Sequence, residues 1–181
     1  MRVNNPKLYV VTGGPGCGKT TVLLELRKRG FQYLPEVARQ IIQDQVESGG
    51  DALPWGDRRR YTELMLERSA QSYLQHTPAM VPTFSDRGIL DTLCYARLIG
   101  LSDLEALMRV CDQYRYAPQV FFAPAWRKIY ETDDERKQDF AEAVRTADLM
   151  RAVYEERGYE VVELPKTTVA ERAEFILKSL K

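Results

Sequence analysis

Short apolar runs alternate with longer stretches of helical periodicity along this chain. The pattern predicts five strands, at residues 8–11, 31–34, 79–84, 119–122 and 159–164. It predicts helices at residues 19–29, 36–47, 57–75, 89–99, 102–114 and 169–180, with a further helix that ends at residue 157. Strands separated by helices indicate an α/β fold with a parallel sheet covered on both faces. Ligands of such sheets bind beyond the carboxyl ends of the strands.

The composition is that of an ordinary soluble globular protein. The 181 residues fit one compact domain that spans residues 1–181. A formal net charge of zero predicts no general attraction to nucleic acid or to a membrane. The three arginines at residues 58–60 are either the exposed start of a helix or a contact with a polyanion. Three cysteines without a C-x-x-C pair, and no apolar stretch of membrane-spanning length, favour a cytoplasmic location.

A glycine-rich sequence of the form G-x-x-x-x-G-K-T follows the first predicted strand. It comprises Gly13, Gly14, Pro15, Gly16, Cys17, Gly18, Lys19 and Thr20. The glycines let successive backbone N–H groups face a phosphate chain, Lys19 adds a positive charge, and the Thr20 hydroxyl can hold Mg²⁺. Thr21 continues into a helix whose N-terminus favours anions. The loop predicts a site for ATP or GTP with Mg²⁺, and the alternative is a flexible turn without a ligand.

Asp86 and Arg87 follow the third predicted strand, beside the expected phosphate loop. Asp86 is placed to hold Mg²⁺, and Arg87 to reach a transferred or accepting group. The alternative is an Asp–Arg pair that orients a turn, with Asp86 as a helix N-cap. We expect Asp91 to be a first-turn carboxylate of the next helix rather than a partner of Arg87.

Glu36 follows the second predicted strand and faces the same edge of the sheet. Phosphorylation of a hydroxyl needs a group that orients the nucleophile and takes its proton, and a glutamate suits that task. The alternative is a carboxylate that complements the dipole of the next helix. Arg39, one turn further on, is a candidate contact with the acceptor.

A charged connection at residues 124–138 follows the fourth predicted strand and has the composition of a lid. Closure of this segment would bring Arg127 and Arg136 onto the β- and γ-phosphates and exclude water. The alternative is a solvated charge run with internal ion pairs. Pro165 follows the fifth predicted strand and is placed to border the nucleotide base.

Four stretches together with the phosphate loop resemble a known family: Pro35-Glu36-Val37-Ala38-Arg39, Ala52-Leu53-Pro54-Trp55, Asp86-Arg87-Gly88-Ile89-Leu90-Asp91 and Asp134-Glu135-Arg136-Lys137-Gln138-Asp139-Phe140. Nearly the whole chain resembles the AAA_28-type group of P-loop ATPases, which is related to ribosylnicotinamide kinase domains and to small nucleoside and nucleotide kinases. The resemblance implies a three-layer α/β/α sandwich with strand order 2-3-1-4-5 and a lid. It also implies ATP or GTP binding and leaves the acceptor open.

Two functions are compatible with these residues. The first is a phosphotransferase that moves the γ-phosphoryl group of ATP·Mg²⁺ to a hydroxyl or phosphate of a small, nucleoside- or nucleotide-like acceptor. The second is a nucleotide-gated regulatory module without small-molecule kinase activity. A GTPase is not favoured, because no N-K-x-D motif follows a strand. The acceptor, the choice between ATP and GTP, and the oligomeric state stay open at this stage.

Overall fold

The computed structural model describes residues 2–130 and 139–180. The strands in this part of the chain are Val3–Asn4 (β1), Leu8–Thr12 (β2), Gln32–Leu34 (β3), Thr83–Asp86 (β4), Tyr114–Arg115 (β5), Gln119–Phe122 (β6) and Glu160–Glu163 (β7). The helices are Lys19–Lys28 (α1), Val37–Ser48 (α2), Arg58–Gln75 (α3), Ile89–Leu98 (α4), Glu105–Cys111 (α5), Phe140–Glu156 (α6) and Val169–Ser179 (α7), with a short 3₁₀ helix at Arg127–Ile129.

The main sheet has five parallel strands in the order β3-β4-β2-β6-β7. These are the second, third, first, fourth and fifth predicted strands, so the expected order 2-3-1-4-5 is confirmed. The register aligns Val11 with Asp86 and Leu34 with Ser85. Because all five strands run the same way, their carboxyl ends meet at one edge, where β2 leads into the glycine-rich loop.

Each face of the sheet is covered by its own apolar cluster. Leu8 and Val10 of β2 point to one face and pack in the cluster that contains Leu93 of α4 and Val153 of α6. The intervening β2 side chains, Tyr9 and Val11, point to the other face and join the cluster that includes residues of α1 and α7. The chain therefore forms the three-layer α/β/α arrangement that the pattern of apolar runs predicts.

The third strand of the sequence prediction lies several residues later than expected. It was expected at residues 79–84 and is formed by Thr83–Asp86. Pro82 has no N–H to donate to a ladder, whereas the N–H of Thr83 bonds the Lys7 carbonyl at 2.9 Å and begins the pairing. Asp86, expected two residues beyond the strand, is consequently its last residue.

The region around α5 also differs from the prediction. A helix was expected over residues 102–114, but α5 covers only Glu105–Cys111. Tyr114–Arg115 instead pairs in parallel with Val3–Asn4 to form a separate two-stranded sheet. Two-residue strands have no periodicity to detect, and their pairing depends on residues more than a hundred positions apart.

None of the helices in the described part of the chain combines the length and the apolar character that crossing a membrane requires.

Candidate functional site

Gly13 lies where the glycine-rich loop leaves β2. Its φ angle is +138°, and a Cβ atom at this position would lie 2.2 Å from the carbonyl oxygen of Ala123, just after β6. Any side chain would therefore push the loop away from the sheet. Glycine at this position lets the loop pack directly against the end of the neighbouring strand.

Lys19 begins α1 and folds back over the loop that precedes it. Its Nζ atom donates hydrogen bonds to the carbonyl oxygens of Gly13 and Gly14, at 3.1 and 2.9 Å. The side chain is only 6% exposed. The loop is tightened further by Cys17, whose thiol donates to the Gly14 carbonyl at 2.8 Å. The positive charge of Lys19 is thus held at the mouth of the loop, next to the helix N-terminus.

Thr20 and Asp86 bring a hydroxyl and a carboxylate together beside this loop. The Thr20 hydroxyl donates to Oδ2 of Asp86 at 3.0 Å. Burial raises the pKa of Asp86, and Lys19 acts in the opposite direction. Among the residues that the structure describes, no group bonds the other carboxylate oxygen, Oδ1, which is buried. A buried carboxylate oxygen without a partner beside a hydroxyl is a donor set that suits Mg²⁺, a cation that takes oxygen ligands.

Glu36, Arg87 and Asp91 form an ion-pair network on the other side of the loop. Arg87 donates from Nε to Glu36 at 2.6 Å, and from Nη1 to Asp91 at 3.2 Å and to the Gly13 carbonyl at 3.1 Å. Its backbone adopts a left-handed conformation, with φ of 70°. This conformation is uncommon outside glycine and costs free energy, so the surrounding contacts must stabilise it.

Asp91 has two roles, of which the sequence prediction chose one. Its Oδ2 accepts the Gly88 N–H at 2.8 Å, as expected of a first-turn carboxylate. Its Oδ1 pairs with Arg87, which was the alternative not preferred from the sequence. Asp91 also accepts the hydroxyls of Thr12 and Tyr154, each at 2.6 Å, and is 2% exposed. The buried charge is therefore satisfied on every side.

The electrostatics of Glu36 decide what this carboxylate can do. Burial by itself raises the pKa of Glu36, but the nearby charges of Arg87 and Lys19 outweigh it and lower the pKa to about 2. A carboxylate with so low a pKa is a weak proton acceptor. It remains a strong hydrogen-bond acceptor that can orient a hydroxyl.

Several predicted site residues lie apart from this cluster. The guanidinium of Arg127 lies over the ring of Phe140, 5.0 Å from its centroid, and the Thr21 hydroxyl bonds the Gly18 carbonyl within its own turn. Pro165 follows β7 at the same edge of the sheet. Arg136 lies outside the described residues.

Arg172 of α7 is a contact that the sequence reasoning missed. Its two terminal nitrogens each donate to the carbonyl of Cys17 at 3.2 Å, from a side chain that is 2% exposed. The sequence does contain one indication of this role. Arg172 lies on the same side of the predicted helix as Ala173 and Ile176, which pack in the core. No motif identifies such a residue, because its partner is a backbone oxygen 155 positions away.

A cavity of about 480 Å³ adjoins the phosphate loop and the ion-pair network. Its walls come from α2, α3, α4 and α6 and from the loop before α3. Charged residues line one part of it, and the aromatic side chains of Trp55, Tyr61 and Tyr95 line another. Its volume is in the range of pockets that bind small molecules.

The family model of AAA_28, an AAA domain, matches residues 8–172. The chain belongs to this family. The match includes the phosphate loop, the network of Glu36, Arg87 and Asp91, and Arg172. None of the curated proteins compared with this AAA_28 chain matches it.

Solved structures similar to the AAA_28 chain share its fold. The deoxyadenosine kinase of M. mycoides with bound dATP has 15% identity and a TM-score of 0.56, and the alignment covers 96% of this chain and 98% of that one. The YorR protein of Bacillus subtilis, in complex with phosphorylated GDP, has 16% identity, a TM-score of 0.54 and coverage of 94% of both chains. The shikimate kinase of Acinetobacter baumannii, in complex with shikimate, has 17% identity, a TM-score of 0.53 and coverage of 98% and 96%. The AAA_28 chain therefore has the fold that these proteins share.

Proposed function

We propose that this AAA_28 protein is a phosphotransferase that moves the γ-phosphoryl group of ATP to a small-molecule acceptor. The observation that carries the proposal is the meeting of two sites at one point. The phosphate loop borders a cavity of small-molecule size through Pro15, and Glu36 and Arg87 line that cavity. A donor on the loop and an acceptor in the cavity would lie side by side, as transfer between two small molecules requires.

The ligands of the structural neighbours support this assignment. One neighbour holds dATP, one holds a phosphorylated guanine nucleotide and one holds shikimate. By likeness of fold, we assign the nucleotide to the loop from Gly13 to Thr21, with ATP preferred and GTP as the alternative. Pro165 would border the base, and Arg127 and Arg136, in the lid at residues 124–138, would approach the phosphates.

Each residue of the site has a role in this proposal. Lys19 neutralises charge that grows on the transferred group, and Thr20 and Asp86 would hold Mg²⁺. When bound, Mg²⁺ would supply further positive charge next to the phosphates. Glu36 accepts a hydrogen bond from the acceptor hydroxyl and aims it at the γ-phosphorus. Because the transition state of such transfers is loose, aiming the nucleophile matters more than removing its proton early.

Arg87 holds Glu36 in position for this task, through the bond from its Nε atom. We propose further that residues 1–181 form one domain and that the protein works in the cytoplasm.

The second candidate, a nucleotide-gated regulatory module, is favoured by one observation: Glu36 is already paired with Arg87 and needs no acceptor to satisfy its charge.

The test is transfer of label from γ-labelled ATP, with Mg²⁺, to a panel of nucleosides, nucleotides and other small alcohols. A labelled small-molecule product is the expected result. Hydrolysis alone, or no reaction, would favour the regulatory module.

The Lys19→Ala variant should lose turnover by about a hundredfold or more, since electrostatic stabilisation provides most of this catalysis. Lys28→Ala, at the exposed end of the same helix, is the matched control and should keep its activity. Full turnover of Lys19→Ala would show that the loop does not bind the reacting phosphates.

A further inference from the structure

The cavity beside the phosphate loop is short of positive charge. Among the described residues that line it, Glu36, Asp91 and Glu142 supply three carboxylates, whereas Arg39 and Arg87 supply two guanidinium groups. The pKa of Glu36, lowered to about 2, keeps that carboxylate ionised at neutral pH. The lining is therefore negative before any ligand enters.

The guanidinium of Arg87 already uses two of its nitrogens, Nε and Nη1, in ion pairs. It bonds Glu36, Asp91 and the Gly13 carbonyl, and its side chain is only 16% exposed. A phosphate group on the acceptor would have to share this guanidinium with Glu36 and Asp91, whose negative charges lie beside it. Repulsion from these two carboxylates would oppose binding of the phosphate there.

Arg39 is not a free phosphate receptor either. Its charge contributes to the lowered pKa of Glu36, so it already interacts with the same carboxylate. A phosphate dianion that enters the cavity would meet a negative lining and would have to shed its hydration shell.

The remaining walls of the cavity suit a flat, apolar ring. The rings of Tyr61 and Tyr95 meet edge to face with their centroids 5.3 Å apart. Trp55 is also part of the lining and is 62% exposed, so a ring that stacked on it would bury apolar surface. Ile42, Met65 and Leu98 complete this apolar side.

We propose that the acceptor is an unphosphorylated alcohol that carries a planar ring, of the nucleoside class, and that the cavity discriminates against the phosphorylated form of the same compound. The ring occupies the aromatic side of the cavity, and the hydroxyl faces Glu36. This inference rests on the proposed phosphotransferase function and narrows its acceptor from "hydroxyl or phosphate" to hydroxyl.

Calorimetric titration tests the preference directly. The protein is first titrated with a non-hydrolysable ATP analogue and Mg²⁺, and the complex is then titrated with adenosine, guanosine, cytidine and uridine and with the 5′-monophosphate of each. At least one nucleoside should bind about tenfold or more tightly than its monophosphate. Tighter or equal binding of every monophosphate overturns the inference, and so does binding of no nucleoside.

Two variants connect the preference to the lining. Trp55→Leu should weaken nucleoside binding about tenfold and leave the affinity for the ATP analogue unchanged. Met80→Leu, at another exposed apolar residue that does not line the cavity, is the control.

Glu142→Gln should reduce the ratio of nucleoside affinity to monophosphate affinity by about threefold, because it removes one exposed charge. An unchanged ratio in Glu142→Gln, or unchanged nucleoside binding in Trp55→Leu, would overturn the inference.

The first titration separates this inference from the proposed function. No binding of the ATP analogue would defeat both. Binding of the analogue, followed by a preference for monophosphates or by no nucleoside binding, would defeat only the inference.

Discussion

At the residue scale, Arg87 shows how the site stabilises an unfavourable backbone conformation. A positive φ at a residue with a long side chain is unfavourable by roughly 1–3 kcal/mol. Three groups hold the Arg87 side chain in the orientation that this backbone conformation gives it: Glu36, Asp91 and the Gly13 carbonyl. The Ser85 hydroxyl also donates to the Arg87 carbonyl at 2.7 Å. The strain is therefore offset by a network that spans β2, β4, α2 and α4.

The ion pair between Glu36 and Arg87 should make stability depend on pH. The pKa of Glu36 is about 2 in the folded chain, against an ordinary value of 4.5. Its stabilising contribution is thus complete above pH 4.5 and disappears as the pH falls toward 2. We expect Glu36→Gln to lower the free energy of unfolding by about 3 kcal/mol at pH 7, and by progressively less as the pH falls below 4.5.

Urea unfolding at a series of pH values between 7 and 3 measures this difference. Asp86 has a raised pKa and acts in the opposite sense. The charge of Glu36 contributes to that rise, so the comparison measures Glu36 together with its effect on Asp86. Glu47→Gln, on the exposed end of the same helix, should change stability little at any pH. A difference between wild type and Glu36→Gln that stays constant from pH 7 to pH 3 would contradict the assignment.

At the element scale, α7 supports the phosphate loop from behind. Thr168 caps the helix, and Arg172, one turn in, reaches the Cys17 carbonyl with two nitrogens. Burial lowers the pKa of Arg172, and among the described residues no group bonds its Nε. A buried guanidinium held only by a backbone oxygen contributes little to stability, so its value lies in positioning the loop.

Replacement of Arg172 should therefore separate binding from stability. In Arg172→Met, the Cys17 carbonyl loses both donors, and we expect the affinity for an ATP analogue to fall about tenfold. The free energy of unfolding should stay within about 1 kcal/mol of wild type, because the apolar side chain suits its buried position. Calorimetry and urea unfolding measure the two quantities. Lys178→Met, on the exposed side of the same helix, is the control, and unchanged affinity in Arg172→Met would refute the role.

The elements also show what the sequence could and could not reveal. The phosphate loop and the positions of Asp86 and Glu36 were predictable, because each lies at or just after the end of a strand and the carboxyl ends of parallel strands converge. The contact of Arg172 was not predictable, and neither were the bonds that Asp91 accepts from Thr12 and Tyr154, since these partners are set by packing between distant segments. The low pKa of Glu36 also depends on packing, because it requires the side chain of Arg87 to lie beside the carboxylate.

At the scale of the whole molecule, the two apolar clusters share one sheet. Leu93 lies in the cluster with α4 and α6, Leu23 lies in the cluster with α1, and both are fully buried. Because β2 contributes alternate side chains to both clusters, loss of either should loosen the other. This sharing predicts that the chain unfolds as one cooperative unit.

Leucine-to-alanine substitutions on opposite faces test that prediction. Leu93→Ala and Leu23→Ala should each lower the free energy of unfolding by about 2–5 kcal/mol, with a single transition in both variants. Circular dichroism and tyrosine fluorescence, followed through the same urea titration, should give coincident curves. Two separate transitions, or one face unfolding while the other persists, would show that the layers are independent units.

The Gly13 carbonyl oxygen has a consequence for how two ligands would bind together. It accepts one hydrogen bond from Lys19 and one from Arg87, each at 3.1 Å. A carbonyl oxygen that accepts hydrogen bonds from two cations binds each of them more weakly than it would bind one alone. When a bound triphosphate attracts Lys19, the hydrogen bond between this oxygen and Arg87 should therefore become stronger. Arg87 would then hold Glu36 more rigidly in the orientation that the acceptor requires. We expect the nucleotide to raise acceptor affinity, and by thermodynamic reciprocity the acceptor to raise nucleotide affinity by the same factor, which paired titrations in both orders would measure.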